Sequence, residues 1–135
     1  MKIRKALASD LSGIRRLAES LGLDYPGLEN DRFWVADSGR EIAGIVALKG
    51  HADCEELVSL GVDPGNRKKG LGRNLVRALL DETPSEVYLA TIIPEFFERC
   101  GFVRASAAPA GMAKDPAWCE GCRKDFCVIM VRTAP

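Results

Sequence analysis

The run from Glu55 to Arg73, EELVSLGVDPGNRKKGLGR, restricts this chain's fold and chemistry more than any other stretch. Glu56-Leu57-Val58-Ser59-Leu60-Gly61-Val62 sets apolar Leu60 and Val62 among small or polar neighbours, as a strand does, and Asp63-Pro64-Gly65 ends it. A basic loop follows, Arg67-Lys68-Lys69-Gly70-Leu71-Gly72, and Leu71, Leu75 and Leu79 then recur at helical spacing. A loop that opens a helix presents backbone N–H groups without intrahelical partners at the positive end of the helix dipole. Such a place binds anions, and a diphosphate is its usual guest. Gly70 and Gly72 have no side chain to hold phosphate oxygens away from the backbone, and Arg67, Lys68, Lys69 and Arg73 surround the spot with positive charge.

Three phosphate-loop patterns can be compared with this stretch. A P-loop needs Lys-Ser or Lys-Thr after the second glycine of G-x4-G; Gly65 and Gly70 have that spacing, but Leu71-Gly72 follows. The dinucleotide fingerprint fails because Leu75 stands where its third glycine belongs. What remains is R-x-x-G-x-G at Arg67, Gly70 and Gly72, preceded by a strand carrying E-L-x-x-L-x-V-x-P. In that combination the chain resembles the GNAT acetyltransferases, whose pyrophosphate loop binds acetyl-CoA. A solvated basic turn is the alternative for the loop alone.

The resemblance covers nearly the whole chain and implies an α/β fold, the GNAT (acyl-CoA N-acyltransferase) fold. It has a mixed central sheet of about six or seven strands, flanked by helices and splayed between two parallel central strands. A length of 135 residues suits one domain, residues 1–135, with a single core. Net charge is zero, with 19 basic and 19 acidic residues, so a nucleic-acid partner has no global electrostatic support. No apolar run approaches the roughly 20 residues of a membrane span. The opening MKIRKALASD lacks a signal peptide's hydrophobic stretch. Five cysteines, an odd number, then fit a reducing cytoplasm as thiols or metal ligands.

Taken in order, Lys2 to Ala6 reads as a first strand. Ser9 or Asp10 can cap a helix with an apolar stripe of Leu11, Ile14, Leu17, Ala18 and Leu21, closed by Gly22. Leu23 to Asn30 is short and irregular, with room for a turn or two where the family places a second helix beside the acceptor. Phe33 to Ala36 and Ile42 to Leu48 form a hairpin, and Lys49 to Cys54 is a connection holding the lone histidine, His51. A loop histidine is usually unremarkable; chemistry or metal binding is the alternative. After the central strand and loop, a helix runs to about Glu82, ended by Thr83-Pro84, and Val87 to Ile92 is a strand. Strand, helix and strand in this order make a crossover between parallel neighbours.

Pro94 to Phe102 reads as a short helix with Phe96, Phe97 and Cys100 inward, stopped at Gly101, with Phe102 starting a strand. The block resembles the GNAT helix beside the pantetheine arm, which places Phe97 among the cofactor contacts. Many members carry there a tyrosine that protonates the departing CoA thiolate; Phe97 has no hydroxyl to do so. Leu89, Thr91, Phe96, Phe97, Gly101 and Phe102, in L-x-T-x4-F-F-x3-G-F, are similar to the acetyltransferase domain of N-acetylglutamate synthases and to short synthase-like proteins. Those proteins often carry a cysteine-rich stretch before the last strand, and Cys119, Cys122 and Cys127 form C-x2-C-x4-C ahead of Phe126 to Arg132. Two thiolates across such a turn can clamp zinc, with Cys127 as third ligand and a fourth from elsewhere. Reduced thiols packing a loop are the other reading.

The implied reaction is direct acetyl transfer from acetyl-CoA to the amine of a small molecule in a ternary complex, with an amino acid such as L-glutamate favoured. Glu56 matches the family's strand glutamate and would be the general base; Glu55 should face the other way by strand alternation. Backbone N–H groups of Leu60, Gly61 or Val62 would meet the acetyl carbonyl and pantetheine. Tyr88, Tyr25 and Cys100 are candidates for protonating the thiolate, and Arg32, Lys49, Arg99 and Arg132 for holding an acceptor carboxylate. Other acceptors (a polyamine, a peptide N-terminus, a drug) remain open, as does a non-catalytic acyl-CoA-binding or metal-sensing module. The expected partners are acetyl-CoA and the amine, with no nucleic acid or membrane, in a monomer or homodimer.

Overall fold

The computed structural model describes residues 1–112 and 127–134. They form β1 (Lys2–Lys5), α1 (Leu11–Leu21), β2 (Arg32–Asp37), β3 (Ile42–Gly50), β4 (Glu55–Val62), α2 (Leu71–Asp81), β5 (Val87–Thr91), α3 (Pro94–Glu98), β6 (Val103–Arg104) and β7 (Val128–Arg132). The seven strands make one mixed sheet in the order β1-β2-β3-β4-β5-β7-β6. β4 and β5 are parallel, as a crossover through α2 requires, and their ladder pairs only Glu55 with Val87 and Glu56 with Tyr88. Packing divides the described residues into two compact units, one of Met1–Lys49 with Leu57–Thr83, the other of Gly50–Glu56 with the chain from Pro84 onward.

In the first unit, α1 buries Ile14, Leu17 and Ala18 against Phe33, Val35, Ile45 and Ala47. Full burial of one such large aliphatic side chain is worth about 1.5–3 kcal/mol. Phe33 to Ala36 and Ala43 to Leu48 are continuously buried, as strands covered on both faces are. Gly22 ends α1 at φ 70°, its N–H reaching the carbonyls of Ala18 and Glu19. The helix start corrects the expectation. Asp10 stands at the N-cap of α1 but its side chain does not cap that helix. Its carboxylate takes the Leu7 N–H at 2.7 Å and two guanidinium bonds from Arg4, at 2.7 and 3.0 Å. A bidentate charged donor outcompetes a helix amide. Leu71, Leu75, Val76 and Leu79 are the buried stripe of α2. A Cβ on Gly44 would stand 3.0 Å from Leu75 Cδ1, so glycine there lets α2 lie close on the sheet.

In the second unit, β5 pairs antiparallel with β7 from Val87–Arg132 to Thr91–Val128, and β6 adds two residues at the far edge of β7. Phe97 packs edge-on against Phe96 and Phe102 at centroid distances of 5.0 and 5.8 Å. Phe97 and Phe102 are buried, whereas Phe96 is half-exposed, so the inner side of α3 is narrower than the pattern implied. Gly101, at φ 97°, ends this short helix, and the Phe102 N–H returns to the Phe97 carbonyl at 3.1 Å.

Candidate functional site

The basic loop is held at both ends. β4 gives way at Asp63, whose N–H donates to the Ala43 carbonyl at 2.8 Å, and a turn of 3-10 helix over Pro64–Asn66 follows. Asn66 Nδ2 donates to Asp63 Oδ2 at 3.2 Å, and Arg67 Nε to the Val62 carbonyl at 3.1 Å. Gly70 occupies the N-cap of α2 at φ 74°, in the left-handed region, and no side chain caps the helix. That conformation explains the glycine, because a Cβ there would meet nothing within 4 Å. Lys68 is also left-handed, at φ 69°. Arg67, Lys68, Lys69, Gly70 and Arg73 are exposed, Gly72 is half-buried and Leu71 anchors the helix in the core. An uncapped helix start with positive charge about it can take a diphosphate, and the residues present fit one.

Upstream, Ser59 sits in the left-handed region at φ 56°, inside a strand. For a residue with a Cβ that costs about 1–2 kcal/mol. It breaks the side-chain alternation, and Ser59 through Val62 are all half-buried. Nothing in the serine's neighbours announces it. Gly61 has a packing reason, since a Cβ there would stand 2.6 Å from Leu23 Cδ1 and 2.7 Å from Leu21 Cδ1.

Glu56 is 2% exposed and Leu57 beside it 5%, while Glu55 is half-buried. Its Oε1 lies 2.8 Å from His51 Nε2. The sequence left His51 in a loop; a four-residue turn, closed by His51 N–H to the Cys54 carbonyl at 2.8 Å, brings it to the carboxylate. Beside it, burial and the neighbouring Asp53 push the Cys54 thiol up to about 11, which keeps it protonated and unsuited to nucleophilic attack. The Tyr88 hydroxyl is raised by its hydrogen bond to Glu86.

Other expected site residues lie in mixed settings. Phe97 is 4% exposed within its ring cluster. Tyr25 donates its hydroxyl to Asp31, while the Lys49 ammonium lies 4.8 Å from the Tyr25 ring centroid and 3.4 Å from Asp31 Oδ2. Arg132 donates to the Ser85 carbonyl at 2.6 Å. Cys119 and Cys122 fall outside the described residues, and Cys127 is exposed. Among the described residues no group of three His, Cys, Asp or Glu is placed to hold a metal, so the zinc reading gains no support. No described helix is long and apolar enough to cross a membrane.

A family model described as an acetyltransferase (GNAT) domain matches residues 29–104, more than half of the chain. Among solved structures, N-acetylglutamate synthase from Neisseria gonorrhoeae, complexed with coenzyme A and N-acetyl-glutamate, is similar at 26% identity and a TM-score of 0.76. The match covers 99% of this chain and 35% of that one, so the chain spans about a third of the synthase. Rv2747 from Mycobacterium tuberculosis, solved in complex with CoA, has 24% identity and a TM-score of 0.72, with both chains covered in full. Tetrahymena GCN5, at 12% identity and a TM-score of 0.71 over 100% of this chain and 97% of that one, shares the fold.

Proposed function

The chain belongs to the GNAT acetyltransferase family, and from that premise we propose that it transfers an acetyl group from acetyl-CoA to the amine of a small molecule, an amino acid such as L-glutamate being the favoured acceptor. The observation that carries the reading is the uncapped start of α2 behind left-handed Gly70, within the basic run Arg67 to Arg73. In this reading the amides of Leu71 and Gly72 receive the diphosphate, and Lys68, Lys69 and Arg73 balance its charge. Leu60, Gly61 and Val62 offer backbone N–H groups to the thioester carbonyl and the pantetheine arm. Phe97 is counted among the contacts of that arm in this reading.

Glu56 takes the proton from the acceptor's amine as its nitrogen attacks the thioester carbon. The new C–N bond forms as the C–S bond breaks, and the electron pair leaves on sulfur. A thiol with an ordinary pKa near 8.5 makes the thiolate a tolerable leaving group without a dedicated acid, so Phe97 in place of a tyrosine is compatible with turnover. Zero net charge suits a small acceptor better than an acidic macromolecule. The Neisseria synthase's complex with N-acetyl-glutamate favours glutamate among small amines. Cytoplasmic residence, with the cysteines as thiols, fits the same reading. The test is Glu56→Gln: turnover should fall by about 100- to 10,000-fold while acetyl-CoA affinity holds. Near-full turnover in that variant would place the base elsewhere, and absent turnover in the parent with intact CoA binding would favour a non-catalytic module.

A further inference from the structure

We propose that His51 is a positioning residue for Glu56, holding its carboxylate in the one orientation that can take a proton from the acceptor; this rests on Glu56 being the base. A glutamate's terminal torsion is broad and roughly two-fold, so burial alone does not choose how the oxygens are turned. A carboxylate that is 2% exposed needs hydrogen-bond partners within the protein. His51 Nε2 stands 2.8 Å from Oε1. In the role of base the carboxylate accepts, which makes Nε2 the donor of the pair. The bond fixes the turn of the carboxylate as well as satisfying it.

His51 is itself held at its backbone and packed against at its side chain. Its backbone N–H closes the turn onto the Cys54 carbonyl at 2.8 Å. Gly111 lies against it so closely that a Cβ there would stand 2.8 Å from His51 Cβ and 3.2 Å from Cγ. The Gly111 N–H is tied to Asp53 Oδ2 at 3.1 Å, and that bond holds the Asp53 carboxyl below the usual range. The backbone beneath the carboxylate is pinned as well, since Glu56 pairs with Tyr88 in the short parallel ladder. Side chain and main chain of the base are therefore both held, and the His51 bond is a contact that sets how its carboxylate is turned.

Steady-state kinetics on four variants tests this, with thermal melting and calorimetric CoA affinity as controls for folding. His51→Leu should lower kcat by about 10- to 100-fold, the cost of a misplaced reacting group, with KM for acetyl-CoA and CoA affinity unchanged. His51→Gln, whose amide nitrogen reaches to about the position of Nε2, should recover most of that loss. His51→Asn, whose amide stops short, should not, and it serves if the leucine variant fails to fold. Adding His51→Leu to Glu56→Gln should cost nothing further. Full kcat in a folded His51→Leu beside an inactive Glu56→Gln would overturn this inference alone. So would equal losses in the Gln and Leu variants, or an additive loss in the double variant. Near-full turnover in Glu56→Gln would overturn the base assignment and this inference with it.

Discussion

Arg67 donates from Nε to the carbonyl oxygen of Val62 at 3.1 Å, tying the first basic residue of the loop to the last residue of β4. A lysine keeps the charge but cannot supply a planar Nε–H at that reach. Arg67→Lys should therefore weaken acetyl-CoA binding by about 3- to 10-fold, the value of one net hydrogen bond. Calorimetry decides it; unchanged affinity would mean that charge alone matters at this position.

Gly72 separates binding from stability. It lies in the first turn of α2, outside the left-handed region. Gly72→Ala should raise stability by up to about 1 kcal/mol through helix propensity. The same methyl intrudes where phosphate oxygens approach, so acetyl-CoA affinity should fall. Gly72→Val should lose more than about ten-fold, or 1.4 kcal/mol. A more stable protein that binds acetyl-CoA less well is the signature to look for, and full affinity in folded Gly72→Val would contradict the phosphate site.

Much of the fold is legible in the sequence. The stripe Ile14, Leu17, Ala18 and the stop at Gly22 in α1, and Leu71, Leu75, Leu79 in α2, follow from local periodicity and end where a glycine or Thr83-Pro84 ends them. The turn and the start of α2 at Gly70 are legible because glycine spacing marks them. The features that escaped depend on pairing across the chain. Asp10 has the composition of a cap, yet Arg4 of β1 takes its carboxylate. Ser59 looks like any small strand residue, and nothing in the adjacent sequence marks its left-handed backbone. His51 gains its partner only when the turn to Cys54 closes.

Ser59 offers a test against strand propensity. Valine is favoured in strands but is among the poorest residues at positive φ. With Ser59 at φ 56°, Ser59→Val should destabilise by about 1–2 kcal/mol, whereas Ser59→Gly should be tolerated. Thermal or denaturant unfolding checks it; a gain in stability for the valine variant would mean that Ser59 is not left-handed.

The Arg4–Asp10 pair sets an acid limit. The side-chain hydrogen bonds from Arg4 are the main cause that holds the Asp10 carboxyl below the usual range, with the Leu7 N–H adding to them. The folded value lies below the unfolded one, so the pair's contribution is fully present above the unfolded value of about 3.9 and is lost as pH falls through the folded value. Asp10→Asn should lower Tm by about 3–6 °C near neutrality, for roughly 1 kcal/mol. The gap between parent and variant should close as pH is taken from about 5 to below 3. A gap that persists at the acid end would assign the loss to packing.

The central claim is acetyl transfer from acetyl-CoA to a small amino acid, and an acceptor panel tests it most directly. Purified protein is incubated with acetyl-CoA and, separately, L-glutamate, other amino acids, polyamines, aminoglycosides and peptide N-termini. Release of free CoA thiol is followed, and the product is identified by mass. The account predicts thiol release and an N-acetylated product with an amino acid, glutamate giving the highest kcat/KM. Acetylation of a polyamine or peptide with none of glutamate would contradict it.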